Sequence, residues 1–153
     1  MKAFSAQRVV RFSDCDPAGI VFFPQYLVML NGVVEQWFDE CLQVPYATLI
    51  GVRRMGLPTV RLELNFTAVS QHGDALEWQL QVHKLGHSSL ALAHECRSEG
   101  ELRLRAQQVV VCTSLLTHKP QPLPEDVRAA IALQISLHAT EAPATPGLAA
   151  RRP

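Results

Sequence analysis

The chain has 153 residues, 48% of them hydrophobic, and its 14 basic and 14 acidic side chains cancel to a formal charge of zero. That suits one domain with a core and excludes binding driven by nucleic-acid phosphates or an anionic membrane surface. No apolar run approaches the ~20 residues of a membrane helix, and four cysteines (Cys15, Cys41, Cys96, Cys112) without a CxxC pair point to a reduced, cytoplasmic protein.

Met1-Lys2-Ala3-Phe4-Ser5 leads into a strand pattern and lacks the apolar core of a signal peptide. A strand is read over Arg8-Val9-Val10-Arg11-Phe12-Ser13, followed by Asp14-Cys15-Asp16-Pro17-Ala18-Gly19, two carboxylates beside a glycine turn. A helix is expected from near Pro24, because Tyr26, Leu30, Val33, Val34, Trp37, Phe38 and Cys41 recur at helical spacing. Leu27, Val28 and Met29 fill much of the remaining circumference, so this helix should be buried on most sides. Asn31, Glu35 and Asp39 form its polar stripe. Gly32 at mid-helix costs about 1 kcal/mol against Ala, which suggests close approach of another group. Pro45 to Met55 reads as a short helix or loop carrying Arg53 and Arg54.

The period then changes to two. Val60, Leu62, Leu64, Phe66 and Ala68 face one way; after His72-Gly73-Asp74, so do Leu76, Trp78, Leu80 and Val82. Leu85-Gly86-His87-Ser88 turns into a strand from Ser89 to Arg97, and Ser98-Glu99-Gly100-Glu101 into a last one reaching about Leu116. Its phase shifts at Gln107-Gln108, which suggests a bulge. Four consecutive strands with tight turns predict an antiparallel meander. With the first strand and the helix, this is an α+β pattern: a curved sheet wrapped around one long central helix. Pro124-Glu125-Asp126 opens a C-terminal helix to about Leu137. Residues 141–153, rich in Ala, Pro and Thr, are expected to be disordered, leaving a single domain over residues 1–140.

A carboxylate on a loop that feeds a helix N-terminus pairs a base or nucleophile with amides able to receive charge on a carbonyl oxygen. Asp16 has that position; the alternative is that it only caps its turn. Phe22-Phe23 precede Pro24 where Ser, Thr or Asp would normally cap, leaving an amide, of Phe23 or Gln25, for a substrate carbonyl or for water or Asp16 itself. Asp14 reads as a turn residue and Cys15 as a buried small hydrophobe with no neighbouring His to activate it. The histidines show no metal spacing; His83 and His94 read as structural.

The run Phe12-Ser13-Asp14-Cys15-Asp16-Pro17-Ala18-Gly19-Ile20-Val21-Phe22-Phe23-Pro24-Gln25-Tyr26 resembles the signature of hotdog-fold acyl-CoA thioesterases of the 4-hydroxybenzoyl-CoA thioesterase type. The strand order extends the resemblance to about residues 5–138. It implies the hotdog fold and hydrolysis of an acyl-CoA or aroyl-CoA thioester. Asp16 would be the catalytic carboxylate, as nucleophile or general base, and the Phe23 amide would polarise the carbonyl. Gly19, Val21, Tyr26 and Asn31 would contact substrate. No metal or other cofactor is implied, since coenzyme A is part of the substrate, and the expected assembly is a homodimer or homotetramer. Lys84, His87, Arg97, Arg53 and Arg54 are candidates for the coenzyme A phosphates or for ordinary solvated charges.

Three positions depart from that family. Phe23 stands where relatives often carry Tyr or His, Asn31 stands where the 4-hydroxybenzoyl branch has a carboxylate, and Gly86-His87-Ser88 lacks that branch's basic cluster. With Phe22, Phe23, Trp37 and Phe38 expected around the helix entrance, they suggest benzoyl-type or medium-chain acyl groups with little preference for a 4-hydroxyl. The alternatives are a non-catalytic acyl-CoA or acyl-carrier-binding hotdog module, and a dehydratase, which would pair its carboxylate with a His that this loop lacks.

Overall fold

A long helix, α1 (Phe23–Gln36), lies against a five-stranded antiparallel sheet in the computed structural model, which describes residues 3–140. The expectation for residues 141–153 lies outside the described residues. The sheet comprises β1 (Phe4–Val9), β3 (Thr59–Phe66), β4 (Ala75–Leu85), β5 (Ser89–Ser98) and β6 (Glu101–Val111). The short strands β2 (Met55–Gly56) and β7 (Thr113–Ser114) pair separately, with α2 (Tyr46–Gly51) before them and α3 (Glu125–Thr140) closing the chain. The curved sheet around a long helix is the hotdog architecture.

The sheet order is β1-β4-β5-β6-β3. Only β4, β5 and β6 form a meander; β3 crosses to the far side and pairs with β6, so the expected run of four successive neighbours is corrected. The reason is the connection. Glu99 (φ 51°) and Gly100 (φ 81°) make the tight turn between β5 and β6, whereas residues 67–74 are a spanning segment. The strand β3 is left as an open edge, with Val60 61% and Phe66 50% exposed.

Tyr26, Met29, Leu30, Val33 and Val34 of α1 bury against inward Leu76, Trp78, Leu80, Leu90, Leu92 and Leu104. Each fully buried aliphatic side chain contributes on the order of 1.5–3 kcal/mol. Past Gln36 the helix widens into one π-helical stretch, Trp37–Leu42, and stops at left-handed Gln43. That widening accompanies full burial of both Trp37 and Phe38, whose rings meet edge to face at 5.3 Å. They therefore lie at the C-terminal end of α1, about 20 Å from the exposed Phe22 and Phe23 by helical rise. The expected four-ring cluster at the helix entrance does not form.

Two further readings change. The first strand is Phe4–Val9, not Arg8–Ser13. Phe12–Asp14 is a 3₁₀ turn, closed where Arg11 N–H donates to Asp14 Oδ2 at 2.8 Å, since a short carboxylate competes with ladder pairing. In β6 no bulge occurs at Gln107-Gln108: Leu104, Ala106, Gln108 and Val110 keep the inward phase. Gln108 points inward because a buried partner takes its amide. His94 Nε2 lies 2.9 Å from Gln108 Oε1, and Gln108 Nε2 donates to Thr59 Oγ1 at 2.9 Å. The register shifts lie instead at Val82/Lys84, Cys96/Arg97 and Thr59/Arg61.

Candidate active site

The segment from Cys15 to Val21 is a small hairpin. Gly19 N–H donates to the Asp16 carbonyl at 2.9 Å and Asp16 N–H to that of Ile20 at 3.0 Å, with Cys15 bridged to Val21. Pro17 presets the first turn dihedral, and Gly19 takes the left-handed position (φ 79°) that a side chain would strain. Asp16 uses one oxygen to hold this turn: Oδ1 accepts from Ala18 N–H at 2.8 Å. The capping role is thus real but occupies half the carboxylate. Among the described residues nothing hydrogen-bonds Oδ2.

The hairpin passes directly into α1. Phe22 N–H is held by the Asp14 carbonyl and Val21 N–H by the Ser70 carbonyl, both at 2.9 Å. In the first helical turn Pro24 has no N–H, and Gln25 N–H is taken by the Phe22 carbonyl at 2.8 Å. Of the two amides weighed from sequence, only that of Phe23 lacks an acceptor among the described residues. It sits where the helix dipole is positive.

The connection from β3 to β4 buttresses this hairpin. Tyr26 donates its phenol proton to Ser70 Oγ at 2.8 Å, both residues being buried, and burial raises the Tyr26 pKa. Ile20 bridges to Gln71, and Gly73 N–H reaches the Val10 carbonyl at 2.9 Å. Arg103, on β6, ties the connection from beneath: its guanidinium donates to the Val69 carbonyl and lies 3.8 Å from Asp74 Oδ2, while its carbonyl accepts from Thr67 N–H at 2.9 Å.

Two cavities flank the hairpin. A cleft of about 500 Å³ is lined by Asp16, Gly19, Cys15, Pro17, Phe12 and His72. A second, of about 330 Å³, is lined by Val21, Phe23, Tyr26, Phe66 and Ser70 among others, with Tyr26 and Phe66 rings 5.8 Å apart. Asp16 and Gly19 thus line one cavity, and Val21, Phe23 and Tyr26 the other. Asn31 is exposed further along α1 and lines neither. Outside its own helix and among the described residues, a side chain at Gly32 would meet Arg8 Nη2 at ordinary contact distance (3.6 Å from a built Cβ).

Several candidates are used elsewhere. Arg53 makes a two-pronged 2.8 Å ion pair with Asp126, and Arg97 lies 3.1 Å from Glu95, so both charges have partners inside the chain. Arg54 and Lys84 are exposed. Cys15 is half-buried, with its thiol 3.6 Å from the Arg11 carbonyl. His72 is the residue that sequence reasoning missed at this site. No local spacing links it to Asp16; folding of the β3–β4 connection over the hairpin brings them to one cleft.

The family profile described as the thioesterase-like superfamily matches residues 10–131. A 1,4-dihydroxy-2-naphthoyl-CoA hydrolase of Synechocystis is 30% identical over 133 residues, 86% of this chain and 96% of that one. A 4-hydroxybenzoyl-CoA thioesterase of a Pseudomonas species is 26% identical over 116 residues, 72% of this chain and 82% of its own. The crystal structure of a 1,4-dihydroxy-2-naphthoyl-CoA thioesterase from Synechocystis superposes with a TM-score of 0.78 at 29% identity, covering 86% of this chain and 96% of that one.

Proposed function

The chain belongs to the thioesterase-like superfamily, and from that premise we propose that it hydrolyses an aroyl-CoA or acyl-CoA thioester with Asp16 as the reacting carboxylate. The observation that carries this reading is the hairpin and the helix it opens into: Asp16 Oδ2, in the hairpin, and the Phe23 N–H, at the start of α1, are both without protein hydrogen-bond partners among the described residues. In the reaction Oδ2 either takes a proton from the attacking water or attacks the carbonyl carbon. The Phe23 amide, reinforced by the α1 dipole, receives the negative charge that develops on the thioester oxygen. The chain's own groups and water supply every step, so no metal or redox cofactor is required; coenzyme A enters as part of the substrate.

Aroyl thioesters are the first substrate class to test, since two of the relatives above are named for them, and medium-chain acyl thioesters are the second. The apolar cavity beside Phe23, Tyr26 and Phe66 suits a flat acyl group. We take the working unit to be a homodimer or a pair of dimers, because the open β3 edge exposes Val60 and Phe66 beside a row of unpaired backbone groups. The four unpaired thiols accord with a reducing compartment, the cytoplasm. Among the described residues no helix is long and apolar enough to cross a membrane.

The test is a thiol-release assay over benzoyl-, 4-hydroxybenzoyl-, 1,4-dihydroxy-2-naphthoyl-, hexanoyl- and octanoyl-CoA. Turnover of an aroyl member that depends on Asp16 supports the reading. Binding of these thioesters without thiol release would make the chain a non-catalytic acyl-CoA module instead.

A further inference from the structure

We propose that His72 is a second catalytic residue, the acid that protonates the departing thiolate when the thioester C–S bond breaks. This rests on the thioesterase reading above and adds to it a group that the hairpin motif does not contain.

His72 is exposed, yet its position is held from three sides. Asp74 N–H donates to the Gln71 carbonyl at 3.1 Å and Gln71 N–H to Asp74 Oδ2 at 2.9 Å, which closes the turn carrying the imidazole. Gly73, at φ 91°, gives its N–H to the Val10 carbonyl at 2.9 Å, which fastens the turn to the strand before the Asp16 hairpin. The Ile20–Gln71 bridge then joins the turn to the hairpin itself. The ring packs edge to face on Phe12, centroids 6.4 Å apart and planes at 73°, and lines the same cleft of about 500 Å³ as Asp16. A carboxylate and an imidazole, carried on two braced turns, therefore face one space.

Thioester hydrolysis uses two proton positions. If Asp16 acts as general base, it takes a proton from water as the C–O bond forms. The C–S bond then breaks with its electron pair going to sulfur, and sulfur takes its proton from protonated His72. The acid product loses a proton to solvent, and the proton held by Asp16 returns to His72, so both side chains regain their starting forms. If Asp16 instead attacks directly, His72 protonates sulfur as the C–S bond breaks and an acyl–Asp16 anhydride forms. Water then cleaves the anhydride to the acid product and the free Asp16 carboxylate, and the proton released in that step restores His72. In that route the acylated Asp16 has no proton to give at the moment sulfur leaves, whereas a histidine can both donate and recover one.

The discriminating experiment varies the leaving group. The full-length protein and its His72→Gln, Asp16→Asn and double variants are assayed on benzoyl-CoA and on S-(4-nitrophenyl) thiobenzoate, whose aryl thiolate departs without being protonated. His72→Gln should lower kcat on benzoyl-CoA about 100-fold, the lower end for a positioned acid, and change the nitrophenyl substrate less than about threefold. Asp16→Asn should lower both. Equal losses on both substrates would show that His72 only holds its turn, and an effect confined to KM would make it a binding residue; either overturns the proposal, as does an unchanged kcat. Loss of the Asp16 dependence with thiol release intact would overturn the function of Asp16 while leaving the leaving-group contrast at His72 to be read by itself. A wild-type protein that releases thiol from neither substrate would remove the thioesterase reading and the role of His72 with it.

Discussion

Tyr26 donates a 2.8 Å hydrogen bond to Ser70 Oγ in the core, while the Ser70 carbonyl accepts the Val21 N–H at 2.9 Å. One residue of the β3–β4 connection thus holds both the first turn of α1 and the strand leaving the Asp16 hairpin. Ser70→Ala leaves the buried phenol without its acceptor, which should cost about 1–3 kcal/mol in urea unfolding. Tyr26→Phe removes the other partner and should cost no more than that. If Ser70→Ala unfolds at the wild-type urea concentration, the bond does not brace the site.

Asp16→Asn should retain the melting temperature and lose ~10²- to 10⁴-fold in kcat, the usual contribution of a positioned acid or base. A variant keeping more than about a third of the wild-type kcat would remove Asp16 from the chemistry. Cys15→Ser should leave turnover nearly unchanged, because the thiol faces the Arg11 carbonyl and the chemistry proposed does not use it. A large drop would revive the thiol as nucleophile.

His94 provides a pH test of the core. Burial pushes its pKa down to about 4 from an unfolded value of 6.5, against a smaller opposing effect of Gln108. The unfolded chain therefore binds the proton first as pH falls, so this contribution is complete above pH 6.5 and lost progressively between pH 6.5 and about 4. The loss should reach about 3 kcal/mol by linkage. Comparing His94→Gln with wild type by urea unfolding at pH 7.5 and pH 5 isolates it, since the surface carboxylates are common to both. Parallel losses in the two proteins would place the proton elsewhere.

Asn31 tests acyl selection. It hydrogen-bonds but cannot act as an anionic acceptor, so wild type should discriminate weakly between benzoyl-CoA and 4-hydroxybenzoyl-CoA, within the ~10- to 200-fold range of an apolar pocket. Asn31→Asp should raise the kcat/KM ratio toward the hydroxylated substrate. Because Asn31 lines neither cavity of a single chain, that shift also requires a second copy to bring substrate to it. A thousandfold wild-type preference for 4-hydroxybenzoyl-CoA would defeat this account.

The open edge gives the fifth prediction. Val60→Lys on β3 places a charge where a second copy would pair, and should shift the assembly toward smaller species and reduce kcat together. Light scattering that finds a fully active 16.9 kDa species in the wild type would refute the assembly.

Much of this molecule is written locally. The apolar spacing from Tyr26 to Phe38 specifies a buried helix and the alternation of β4 and β5 specifies half-buried strands, because each period repeats over a few residues of the same element. Pro17 and Gly19 specify their turn for the same reason, and with it the position of Asp16.

Tertiary structure decided what depends on partners far along the chain. Gln108 broke the apolar phase of its strand and read as a bulge, but a polar residue is stable on the inward face once His94 meets it, and that pairing crosses between strands. The position of β3 beside β6 followed from a spanning connection whose His72-Gly73-Asp74 turn fastens to Val10 instead of folding β3 back onto β4. The same connection delivered Ser70 to Tyr26 and His72 to the cleft of Asp16. Side-chain period and turn chemistry act over a handful of residues, whereas the cavity beside Asp16 is assembled by hydrogen bonds between loops whose sequence separation carries no pattern.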